Sequence, residues 1–200
     1  MPIKLARTAL LALLASGSAQ AFTFDEALNG DLSGNRLAPT ALSAVAGVNS
    51  LSMSAAAGDR DYFTFDVPTG LLLSSIFHHT YVSADDLSFF GMQRGTTLTE
   101  PPTSTNAGNL LAYTLFGNVT AGTEILDNLA ASGSFSPAAQ GFSGALAAGS
   151  YTFWVQQTGV VANYTFDFVL TPVPEPSSLA LLLLGGLGLA GVVRKQRGQR

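Results

Sequence analysis

Asp59-Arg60-Asp61-Tyr62-Phe63-Thr64-Phe65-Asp66-Val67-Pro68 decides the fold of this chain. As an extended strand it puts Phe63, Phe65 and Val67 on one face and Tyr62, Thr64 and Asp66 on the other. Pro68 lacks the donor that would continue a ladder, and Pro68-Thr69-Gly70 reads as a turn. The same period of two closes the region. In Asn163 to Thr171, Tyr164, Phe166, Phe168 and Leu170 share one face, and Thr165, Asp167, Val169 and Thr171 share the other. Gly149-Ser150 precedes a third such run, Tyr151 to Gln157, which Thr158-Gly159 ends. Leu71 to Val82, Asp86 to Met92 and Leu110 to Phe116 are further strands, and Ala41 to Met53 holds one more. Gly122 to Ala131 reads as a short strand or a helical turn, and Phe135 to Leu146 is mixed. Asp25 to Thr40 and Thr96 to Asn109 are turn-rich, the first with room for an irregular strand. Short alternating runs punctuated by Gly, Pro and Asn, with no long amphipathic helix and no internal repeat, predict an all-β fold, a single antiparallel β-sandwich.

Outward from this region, both ends of the chain change character. At the start, Lys4 and Arg7 form a basic segment, Thr8 to Ala15 is apolar, and Ala19-Gln20-Ala21 supplies small residues. That order predicts a signal-peptide helix over 1–21, exported by the Sec machinery and cut by signal peptidase after Ala21, rather than a short buried helix. At the other end, Pro172, Pro174 and Pro176 remove three backbone donors and hold the chain extended around Glu175. Ser177 to Val193 follows without a charge, then Arg194, Lys195, Arg197 and Arg200. The seventeen residues of 177–193 span about 25 Å as a helix, slightly short of a bilayer core. They predict a transmembrane helix in the inner membrane, with the basic tail 194–200 cytoplasmic and Glu175 outside. Gly186 and Ala190 give it the small-residue spacing that suits close helix approach or local unwinding.

Pro174-Glu175-Pro176, the Leu/Gly-rich span and the Arg-Lys stop together resemble the PEP-CTERM sorting signal of Gram-negative bacteria. The resemblance covers 172–200 and implies an exported protein. It implies processing near the motif by an exosortase, a membrane protease-transpeptidase, and delivery to the cell surface or exopolysaccharide matrix. An uncut single-span anchor is the plainer alternative, although such an anchor has no need of Pro-Glu-Pro. No Leu-Pro-x-Thr-Gly sortase signal is present.

The remaining 22–171 has the length of one domain. It holds all thirteen Phe, all five Tyr and Trp154, enough apolar mass for a self-sufficient core. Cysteine is absent, which excludes disulfides, thiolate nucleophiles and Cys-based zinc sites. Three basic residues (Arg36, Arg60, Arg94) face twelve acidic ones, a balance of −9 that the whole-chain value of −4 conceals. Such a surface argues against nucleic acid or an anionic membrane as partner.

Gly58 to Gly70, with Gly149 to Gln157 and Asn163 to Leu170, looks like the bacterial pre-peptidase C-terminal (PPC) domain, a jelly-roll-like β-sandwich appended to secreted proteases. No protease precedes it here, so the resemblance implies the fold more than the role. Some domains of that kind bind calcium through an acidic N-terminal segment and an aspartate before the first long strand. Asp59 and Asp61 match the second feature, and Asp25 and Glu26 match the first loosely. With Asp31 and Asn35 they supply the oxygens that Ca2+ takes; the other reading is solvated loop carboxylates.

The other candidates point away from catalysis. His78 and His79 are neighbours on a strand and project oppositely, as do Asp85 and Asp86, so neither pair converges. Ser143, in Gly-Phe-Ser-Gly, lacks the nucleophile-elbow pattern, and no phosphate loop or His-Glu-x-x-His occurs. Asn118-Val119-Thr120 and Asn163-Tyr164-Thr165 are sequons of little meaning in a bacterium. Trp154 with Tyr151 and Tyr81 either packs the core or forms a platform on which extracellular polysaccharide stacks. The expectation is a non-enzymatic surface or matrix protein, with a calcium- or carbohydrate-binding accessory module as the alternative.

Overall fold

A computed structural model describes residues 21–174. The signal-peptide helix and the transmembrane helix expected from the sequence lie outside the described residues. Among those described, no helix is long and apolar enough to cross a membrane.

The fold is all-β, two five-stranded sheets packed face to face. The strands are β1 (Thr23–Asp25), β2 (Thr40–Ala41), β3 (Gly47–Ala55), β4 (Arg60–Val67), β5 (Leu71–Val82), β6 (Ser88–Arg94), β7 (Ala112–Phe116), β8 (Thr123–Glu124), β9 (Gly149–Gln156) and β10 (Ala162–Pro172). Two short helices, α1 (Glu26–Asn29) and α2 (Leu126–Ala130), complete the elements used below. The first sheet runs β1-β3-β10-β5-β8 and the second β2-β4-β9-β6-β7. Gly122 to Ala131 therefore holds both a strand and a helical turn.

The expectation of purely antiparallel pairing needs correction at two edges. β1 lies parallel to β3, and β2 parallel to β4. The chain alternates between sheets over β1 to β4, so no hairpin joins the paired strands and nothing forces reversal.

Period-two alternation builds the core. Phe63, Phe65 and Val67 of β4 meet Tyr151, Phe153 and Val155 of β9 on the inner face, as Tyr164, Phe166, Phe168 and Leu170 of β10 approach from the other sheet. Phe153 stacks on Phe63 and Phe65 at 5.0 and 4.8 Å between ring centroids, and Phe168 meets it across the sheets at 5.3 Å. β5 departs from strict alternation. Its register against β10 shifts between Thr165 and Phe166 and between Val169 and Leu170, so its inward residues are Leu73, Ile76, His78 and Tyr81. His78 is fully buried, stacked on Phe166 at 5.0 Å, and burial holds its pKa down.

The outer face of the second sheet is covered as well. Tyr62 and Trp154 pack there with Leu98, Ala107, Leu110 and Ala139, contributed by the two long irregular segments. Strand β4 is therefore buried on both sides, which a Tyr at 62 and a Thr at 64 permit.

Replacing Phe153 by Ala should cost about 3–5 kcal/mol, the range for truncating a fully buried aromatic. It should appear as a lower urea midpoint at unchanged slope. Val119→Ala, at a site 89 % exposed, should stay within about 0.5 kcal/mol. Equal losses at the two positions would contradict the packing described.

Candidate functional site

Alternation along β4 has a second consequence. Asp61 has the parity of Phe63 and Phe65, so its carboxylate enters the space between the sheets, at their β4-start end. It is fully buried, and neither Oδ1 nor Oδ2 has a hydrogen-bond partner among the described residues. Glu26 and Asp31 are brought to it. One oxygen from each of Glu26, Asp31 and Asp61 lies within 4.8 Å of the others.

Local structure explains the convergence. Asp25 caps α1, its Oδ1 accepting from the Ala27 N–H at 3.0 Å, and Glu26 opens the helix turned toward β3. Glu26 Oε1 accepts from Leu32 N–H at 3.1 Å and Oε2 from Ser54 N–H at 2.7 Å, which fixes the carboxylate. Asp31 approaches from the solvent side. Of the four residues assigned to calcium from the sequence, Glu26 and Asp61 converge, with Asp31 beside them. Asp25 is a helix cap, and Asp59 lies outside the group. Asn35 builds a turn instead, its Oδ1 accepting from Leu37 N–H.

The electrostatics follow from burial and like charge. Asp61 is pushed up to about 9, by burial first and then by the charges of Glu26, Asp59 and Asp31. Burial raises Glu26 as well, against the lowering effect of its two backbone donors. Asp59 is raised by burial and then by Asp31. Nearby, the Tyr164 hydroxyl is buried without a partner among the described residues and is raised by burial and by Asp61. Three hard oxygen donors at this spacing fit a calcium ion, whose ligands stand at ~2.3–2.6 Å from it and so up to about 5 Å apart. Glu26 and Asp31 lie on the solvent side, where a cation can enter, and each carboxylate oxygen keeps lone pairs beyond those already used.

The other candidates separate. Tyr151 and Tyr81 face the core between the sheets while Trp154 faces outward, so of the two readings these rings take core packing and share no platform. Trp154 and Tyr151 are three residues apart on one strand, so alternation sends them to opposite faces. His79 points away from His78 and meets Asp167 at 2.6 Å. Asp86 accepts from Asn118 Nδ2, Asp85 lies against Gly159, and Ser143 is exposed. Pro172 ends β10, and Val173 N–H donates to Gly70 O at 2.8 Å. Beyond that, Val173 and Pro174 are exposed; Glu175 and Pro176 lie outside the described residues, as does Ala19, while Ala21 begins them.

Residues 172–197 match the PEP-CTERM protein-sorting motif. The motif starts where the last strand stops. It implies export and a sorting signal processed by an exosortase. No curated protein and no solved structure matches the chain significantly.

Without metal, Asp61 keeps its proton in the folded protein and loses it in the unfolded chain above its ordinary 3.8. The unfolded state therefore binds fewer protons as pH rises, and stability should fall from about pH 4 up through about pH 9. Melting temperature in chelator should show that decline, and Asp61→Asn should flatten it. An unchanged slope in the variant would place the effect elsewhere.

Proposed function

We propose that this chain is an exported bacterial surface or exopolysaccharide-matrix protein without enzymatic activity. Its β-sandwich is led out by a signal peptide over 1–21 and released or transferred by an exosortase acting at the C-terminal signal. The observation that carries this reading is the sorting motif at 172–197, beginning at the final residue of β10. Exposure of Val173 and Pro174 supports access by a processing enzyme. Four residues separate Pro172 from the start of the apolar span at Ser177, five steps that reach at most about 18 Å when extended. The sandwich would then stand close to the membrane until cut. The PPC-like, jelly-roll-like reading of the sandwich belongs to the same proposal, with Asp25, Glu26 and Asp31 before β3, the first long strand, and Asp59 and Asp61 after it.

Glu175→Ala should strand the protein in the inner-membrane fraction. Normal release of the variant, measured by blotting fractions for the intact and shortened forms, would overturn recognition of the motif.

A second reading, a calcium-binding module, is favoured by one observation: the buried, unpartnered Asp61 beside Glu26 and Asp31. Bound Ca2+ would neutralise charge that the core cannot solvate and would tie α1 to β4. Millimolar calcium should raise the melting temperature of the purified protein, and Asp61→Asn should abolish most of the rise. No shift with calcium removes this reading and leaves the sorting one untouched.

A further inference from the structure

The outer face of the second sheet holds a pocket that neither the acidic cluster nor the sorting motif uses. Gly91 of β6 is paired with Tyr113 of β7 on one side and Trp154 of β9 on the other, so the three lie in one cross-strand row. Phe89, on the same face, folds its ring over the space that glycine leaves. A Cβ at Gly91 would stand 2.8 Å from Phe89 Cε1. The Phe89 ring reaches Trp154 at 4.5 Å between centroids, and Tyr113 at 5.8 Å with planes 19° apart. Tyr113 is pinned by its hydroxyl, which donates to Pro137 O at 2.6 Å. The result is an aromatic wall on rigid strands, beside a cavity of about 320 Å3 also lined by Glu100, Thr105 and Asn106.

The polar groups at this cavity are few and incompletely used. Glu100 is only 4 % exposed, and its Oε2 accepts from Asn109 Nδ2 at 2.8 Å. No donor among the described residues reaches Oε1. Asn106 accepts from Gly108 N–H through Oδ1, which leaves its amide hydrogens unspent. The indole N–H of Trp154 is buried with no acceptor among the described residues. Flat apolar rings are thus combined with one spare acceptor and several spare donors.

We propose that this pocket binds a neutral saccharide. A pyranose presents an apolar C–H face to the Phe89, Tyr113 and Trp154 rings. Its hydroxyls both donate, to Glu100 Oε1, and accept, from Asn106 Nδ2. The buried carboxylate discriminates against anionic sugars. A quaternary ammonium would satisfy the rings and Glu100 but none of the unspent donors. The cavity lies at the small end of the ~300–1,000 Å3 range of ligand pockets, room for one or two sugar rings. The site gives the proposed matrix association a molecular contact, but it does not depend on sorting.

Trp154 is the sole tryptophan of the chain, so its fluorescence reports from the pocket wall. The full-length protein, held in a detergent without a sugar headgroup, is titrated with cellobiose, maltose and lactose. At least one should change the emission saturably at millimolar concentration. Glu100→Gln should weaken that binding about tenfold, the effect of losing one charge-assisted hydrogen bond. Tyr113→Ala should weaken it similarly, whereas Tyr113→Phe keeps the ring, loses only the bond to Pro137 O, and should weaken it less. Asn106→Asp, at an exposed loop position, should also weaken it without threatening the fold. Circular dichroism melting identifies any variant that fails to fold. No saturable response to any of the three disaccharides overturns the proposal. So does unchanged affinity in Asn106→Asp and Glu100→Gln, or a saturable response to choline alone. The assay needs no export, so its failure leaves Glu175→Ala sorting results standing.

Discussion

Two sheets without a disulfide stay together through the interdigitation of Phe63, Phe65, Phe90 and Phe153 with Phe166 and Phe168. These rings meet across the sheets at 5.3–5.7 Å, mostly edge to face, which places positive ring edges against negative faces. The density of this packing dictates where polar groups can go. Asn49, fully buried, is accepted because it bonds to Phe168 O and to the Val45 N–H and carbonyl. Asp61, equally buried, has no such satisfaction among the described residues. Its cost is imposed by β4, because no shift of one residue can turn Asp61 outward without also turning Phe63, Phe65 and Val67 out of the core.

That coupling links the acidic cluster to the fold. A neutral Asp61 is tolerated at a desolvation cost, and an ionised one requires a cation. The positions of Glu26 and Asp31 supply further charge of the same sign, which makes the proton-bound state stable over a wide pH span and a bound divalent ion the alternative to it. Both α1 and the Asp25 cap serve this arrangement by fixing Glu26 against β3. The outer pocket depends on the same core in another way. Phe63 and Phe153 fill the inner face, so their neighbours Tyr62 and Trp154 must point outward, and the irregular segments before β7 and β9 are drawn over them.

The strands were legible wherever alternation was strict: β4, β9 and β10 follow the residues' periodicity almost to the end. β5 was harder to orient because two register shifts break its period, so the inward placement of Tyr81 could not be read locally. The parallel edge strands β1 and β2 are too short to show any period. Glu26 and Asp61 could be singled out as oxygen donors, but Asp25 and Asp59 could not be separated from them. Capping and turn geometry, not residue type, decides which carboxylates converge. The inward direction of Asp61 is legible in its parity with Phe63. Glu100 gave no signal at all, because its burial depends on a loop folding back over a distant sheet face.

Strand polarity relates the two candidate sites to the sorting motif. At one end of the sandwich, Pro172 pairs with Leu71 and Val173 bonds to Gly70, beside the turn that follows Val67. Asp61 lies near the opposite end of β4, where Arg60 pairs with Gln156, and Tyr62 pairs with Trp154 one step further. β10 runs between these ends, and the nine steps from Asn163 to Pro172 span roughly 30 Å. A chain tethered to a membrane through residues 172–197 would therefore hold the acidic cluster at the end of the sandwich away from the tether, and the aromatic pocket on a sheet face, at the Gly91 row in the middle of β6. A carboxylate cluster gains from that distance, because an anionic lipid surface would repel it within a Debye length of about 8–10 Å. Both sites would be usable before the tail is processed, so cutting at the motif would change where the domain resides without changing what it can hold.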